Sequence, residues 1–134
     1  MIPSWDKTGV SVQWKGQSYS WILFYEIHEK LEFLLSVLKN KEKCLKARKD
    51  ERFSEYLIQT SYVLGGFLSN ISSEVVTEAF HASVVIQRYL SEGCDDARRD
   101  AIFSLEKVKT ILCLDQLFKR KSDHRQDSEL LPAC

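Results

Sequence analysis

The stretch Ile71-Ser72-Ser73-Glu74-Val75-Val76-Thr77-Glu78-Ala79-Phe80-His81-Ala82-Ser83-Val84-Val85-Ile86-Gln87-Arg88-Tyr89-Leu90-Ser91-Glu92-Gly93 decides the fold class. It carries a complete set of helix signals. Ser72 is placed to cap the free amides of a first turn. Ile71 and Val76 have the spacing of a hydrophobic staple. Val76, Ala79, Phe80, Ser83, Ile86 and Leu90 recur at the helical period and predict a buried stripe. Gly93 is placed to end the helix in a left-handed conformation.

Toward the C-terminus the same period resumes. Asp95 or Asp96 is expected to cap a helix and to suit the positive end of its dipole. Ile102, Leu105, Val108, Leu112 and the 114–118 region supply its apolar face, and Lys119, Arg120 and Lys121 suit its negative end. From Ser122 to Cys134 the chain is polar and aperiodic, which reads as a flexible tail.

Toward the N-terminus, Phe53, Tyr56, Leu57, Thr60, Leu64, Phe67 and Leu68 predict a helix ending near Ser69. Gly65 and Gly66 lie inside it and cost about 1–2 kcal/mol relative to alanine. Close approach of another backbone, or a break, is expected to offset that. Before this helix stand seven basic residues, Lys39, Lys41, Lys43, Lys46, Arg48, Lys49 and Arg52, against Glu42, Asp50 and Glu51. This reads as a turn followed by an exposed helix start. A broad apolar stripe, Phe24, Ile27, Leu31, Leu34, Leu35 and Leu38, predicts a central helix from about Ser20 to Lys39. Residues 1–19 are not helical in pattern. Val10, Val12 and Trp14 alternate with Ser11 and Gln13, which indicates an extended arm or edge strand lying on the helices or on a partner.

These segments predict an all-α, up-down four-helix bundle over residues 20–118, with an extended arm at 1–19 and a polar flexible tail at 119–134. The expected core is Phe24, Leu31, Leu35, Leu57, Leu64, Phe80, Ile86, Leu105, Val108 and Leu112. A chain of 134 residues suits one domain and buries enough apolar surface to fold without metal or disulfide. Formal net charge is zero, so no global field points to nucleic acid, and the marginal solubility this implies near neutral pH favours a bound partner or oligomer. The four cysteines, Cys44, Cys94, Cys113 and Cys134, are irregularly spaced and read as reduced thiols. The longest apolar run, Trp21 to Tyr25, is too short to span a membrane. Trp5, Asp6 and Lys7 interrupt any leader-like start, and Cys134 lacks the following residues that prenylation needs. A cytoplasmic protein without membrane or cofactor is expected.

No catalytic motif stands out. Glu78 and His81 share a helix face and, with His28 and Glu32, outline a metal site across the bundle, but di-metal bundles use about twice that carboxylate supply. His28-Glu29-Lys30-Leu31-Glu32 lacks the second histidine of a zinc-protease motif. Cys94 beside Asp95 and Asp96 is a poor setting for a thiolate. Gly65-Gly66 precedes Phe67 and Leu68, so it is not a phosphate loop. The basic 39–52 segment, joined by Lys107, Lys109 and the 119–121 run, can contact phosphates without reading sequence. The interspersed acids favour a solvated loop over that use.

Protein binding has the best residue-level support. Trp5, Trp14 and Tyr19 lie in the arm, where aromatics either cover the bundle or anchor a partner. Gly65, Gly66, Ala79, Ala82 and Ser83 outline either a shallow groove or tight helix–helix packing. Leu23-Phe24-Tyr25-Glu26, then Tyr56-Leu57-Ile58-Gln59 leading to Phe67-Leu68-Ser69-Asn70, is similar to flagellar export chaperones. That resemblance implies a cytoplasmic helical bundle clasping the disordered end of flagellin. The usual small residue after the Tyr-acidic pair is replaced by Ile27, and no site residue is carried over. Small helical immunity proteins and inhibitors share the outline. The sequence therefore predicts a non-enzymatic protein-binding module, homo-oligomerisation being compatible. Its contacts are Trp5, Trp14 and Tyr19, then Lys46 and Lys49. The nucleic-acid and metal-binding bundles are its alternatives.

Overall fold

The computed structural model describes residues 3–7 and 9–118. The tail read at 119–134 lies outside the described residues. A small antiparallel sheet, β1 (Ser4–Trp5), β2 (Ser11–Trp14) and β3 (Gln17–Ser20), precedes five helices: α1 (Trp21–Leu38), α2 (Lys41–Lys49), α3 (Glu51–Leu68), α4 (Ser73–Glu92) and α5 (Asp95–Ile111). Residues 114–118 add a helical turn.

The arm is a meander, because β1 and β3 flank β2 on both sides. The β2–β3 hairpin pairs Val12 with Tyr19 and Trp14 with Gln17. It turns at Lys15 and Gly16, both at positive φ, as a right-twisted two-residue hairpin requires. The period-two reading holds within β2, where Val12 and Trp14 are buried and Gln13 is exposed, but not at Val10, which precedes the strand and is 56% exposed. The sheet lies against α1.

The bundle closes as α1–α3–α4–α5, each helix packing on the next and α5 returning to α1. Ser20 caps α1 by accepting from the Ile22 amide, and Ser72 caps α4 by accepting from the Val75 amide. Gly93 ends α4 at φ 74°. Phe24, Ile27, Leu31, Leu34, Leu64, Ile86, Leu105 and Val108 are fully enclosed.

Four expectations are corrected. The basic turn is the helix α2, capped by Asn40 and buried only through Cys44 and Ala47. The N-cap of α5 is Cys94, without a side-chain capping bond. Asp95 instead turns its carboxylate to Arg98 at 2.7 Å and Arg99 at 2.9 Å. The last helix breaks at Cys113, whose φ is 51°. Phe80 is not core: it is 51% exposed. Its ring lies 3.5 Å from where a Gly65 Cβ would stand, so the missing side chain seats the ring at the α3–α4 edge. Gly65 is thereby explained. Behind it, Ser83 donates to the buried Ser61 hydroxyl at 3.0 Å, so the small residues mediate helix packing.

Candidate functional site

The five sequence-predicted contact residues fall at opposite ends of α1. Trp5, Trp14 and Tyr19 precede it and Lys46 and Lys49 follow it, with 18 helical residues between, or about 27 Å. Trp14 is 1% exposed, so in this conformation it has no surface to offer a partner. Trp5 donates its indole N–H to the Leu117 carbonyl at 2.9 Å and meets Phe118 edge-on at 5.8 Å. Tyr19 packs on Phe24 and donates its hydroxyl to Gln17. The arm therefore clamps the end of the described chain onto α1, and His28 completes the clamp by stacking on Phe118. Lys46 and Lys49 are exposed on α2.

The outlined metal residues do not converge. Glu78 pairs with Lys107 at 3.4 Å and Glu32 with Lys109 at 2.8 Å. His81 is exposed. Among the described residues, no group of three or more His, Cys, Asp or Glu side chains is placed to hold a metal ion.

Cys44 has a structural setting. Its thiol donates toward the Val37 and Leu38 carbonyls at 3.2 and 3.4 Å. Arg98 donates to the Leu38 carbonyl at 2.8 Å. Arg98 thereby satisfies the Leu38 carbonyl at the end of α1, and the thiol adds to the bond that the Val37 carbonyl accepts from the Asn40 amide. Burial raises the Cys44 pKa, which keeps it a thiol and lowers its reactivity.

The surface that the sequence left unnoticed is the outer face of α3 and its flanks. Tyr56, Tyr62 and Val63 on α3, and Phe80 and Val84 on α4, are each about half exposed or more. Gln87 donates to the Tyr62 hydroxyl and fixes one flank. On the other flank Phe33 of α1 meets Tyr56 edge-on, 5.2 Å between ring centroids. There α1 and α3 enclose a groove of about 440 Å³ lined by Glu29, Lys30, Phe33, Tyr56, Gln59, Thr60 and Val63. Lys30 is held by Glu26 at 2.7 Å. Hydrogen bonding to Glu29, then its charge, raises the Tyr25 pKa. Between the flanks, a Cβ on Gly66 would touch nothing within 4 Å. The fold does not need that glycine, yet it carries the helix cost of one. The readable signal was excess: Tyr62 and Val63 extend the apolar pattern of α3 beyond the width one core stripe uses.

No protein-family model, no curated protein and no solved structure matches this chain.

Proposed function

We propose that this protein is a non-enzymatic protein-binding module, and that its principal contact surface is the outer face of α3 with the adjoining groove. One observation carries the reading: Tyr56, Tyr62, Val63, Phe80 and Val84 stand outward on adjoining helices. Large exposed apolar patches on soluble domains mark interaction sites. Tyrosine is a favoured anchor because it buries much area at small entropic cost. A chaperone, an immunity protein and an inhibitory adaptor would all use such a face. Lys46 and Lys49 are its electrostatic periphery, and Trp5 and Tyr19 retain partial exposure for a secondary contact.

The test is affinity purification from the native lysate with the wild type and a Tyr56→Ala/Phe80→Ala variant, read by mass spectrometry. The reading expects one enriched protein, lost in the variant. The variant's melting temperature should stay within about 5 °C of wild type, because both side chains are half exposed. Equal capture by both proteins would remove the surface from consideration.

A further inference from the structure

We propose that the α1–α3 groove, approached across the basic helix α2, receives an acidic segment of a partner protein that carries an apolar side chain. This rests on the protein-binding reading and adds the chemistry of the partner.

The first observation is charge segregation. Five of the nine residues of α2 are basic and one is acidic. Among the described residues, no ion pair holds Lys41, Lys43, Lys46, Arg48, Lys49 or Arg52. Elsewhere Lys30, Lys39, Arg88, Arg98, Arg99, Lys107 and Lys109 are paired with carboxylates, while Lys15 of the arm lies over the Trp14 ring and Lys7 has no ion pair among the described residues. In a chain of zero net charge, these six bases stand against the four carboxylates of Glu42, Asp50, Glu51 and Glu55, which leaves an excess of positive charge at one end of the bundle. Such a patch steers an acidic partner and selects against a basic one.

The second observation is continuity with the groove. Arg52 and Tyr56 stand four residues apart on α3 and so share a face. Val63 continues that face into the groove. A chain crossing α2 and passing Arg52 therefore meets Tyr56 and Phe33 next.

The apolar content distinguishes a peptide from a nucleic acid. Leu45 is 52% exposed amid the lysines of α2, and Val63 is 47% exposed in the groove. Glu51 and Glu55 are exposed beside Arg52. A nucleic-acid strand carries charge at every phosphate and cannot avoid those carboxylates. A peptide places its charges singly and can set an apolar residue against Leu45 or Tyr56.

Fluorescence anisotropy with short labelled peptides tests this on the full chain. The first probe is a Glu/Ser peptide with a central Trp-Leu pair. The second lacks that pair, the third replaces Glu by Lys, and an oligothymidine of matched length is the fourth. The first should bind most tightly and weaken as salt is raised. Lys46→Glu with Lys49→Glu should weaken it about tenfold, and Tyr56→Ala by a similar factor, with melting temperatures preserved. The inference is overturned if no peptide binds, if the probe without Trp-Leu binds equally well, or if oligothymidine binds as tightly. Should it fail while lysate capture stays sensitive to Tyr56→Ala/Phe80→Ala, the acidic-partner chemistry falls and the protein-binding reading stands. Loss of both removes the two together.

Discussion

Trp14 shows how one residue's role turns on a few ångströms of backbone. Its alternation with Val12 was legible, but a lone strand leaves open which face is covered. The packing of the sheet on α1 settles that, and the indole is almost completely enclosed. Removing a buried tryptophan leaves a cavity and costs about 3–5 kcal/mol. Trp14→Ala should therefore lower the melting temperature by roughly 10 °C or more, followed by circular dichroism. A change of a few degrees would mean that the indole is not core. Gly93 is the second such residue. At φ 74° an added Cβ would be strained, and it would stand 2.5 Å from the Arg48 guanidinium. That group lies over the Tyr89 ring. Gly93→Ala should cost about 1–2 kcal/mol, measured by urea unfolding. An unchanged midpoint would contradict the left-handed cap.

Elements with a wide apolar stripe and strong caps were legible: α1 and α4 start and stop, and α3 stops, within about two residues of their predicted ends. Those that hold by charge and capping were not. Helix α2 buries only Cys44 and Ala47, too little for a periodic signal. It is defined instead by Asn40 at its start, and by Asp50, which also caps α3 by accepting from the Arg52 and Phe53 amides. The N-terminus of α5 was misread because a capping aspartate and a salt-bridging one are the same letter. Arg98 has a second task at the Leu38 carbonyl and draws Asp95 toward itself. Hydrogen bonds from Arg98 first, then Arg99, hold the Asp95 carboxyl below the usual range. A depressed folded pKa contributes stability above the unfolded value, near 4, and that contribution fades as pH falls through the folded value. Asp95→Asn should melt lower than wild type at pH 6. The gap should narrow steadily below pH 4, as thermal scans across an acid series would show. A gap independent of pH would mean that Asp95 acts through geometry alone.

At the scale of the molecule, the helical bundle was readable and the candidate surface was not. Sequence periodicity reports which side chains suit a core, and Tyr56 and Phe80 suit one. The packing of α3 on α4 through Gly65, Ser61 and Ser83 leaves Phe80 outside, and Tyr56 stands at the α1 edge of α3 against Phe33. The predicted contacts in the arm were drawn by aromatic content, and the fold uses much of that content to hold β1 and the 114–118 turn against α1. The central claim, that the outer face of α3 meets a protein partner, is tested most directly by site-specific photo-crosslinking. A photoreactive phenylalanine analogue would replace Tyr62 in one sample and Gln13, exposed on the arm, in another. Both would be irradiated in native lysate. We predict a discrete protein adduct from position 62 and none from position 13. An adduct from position 13 alone, or none from either, would contradict the account.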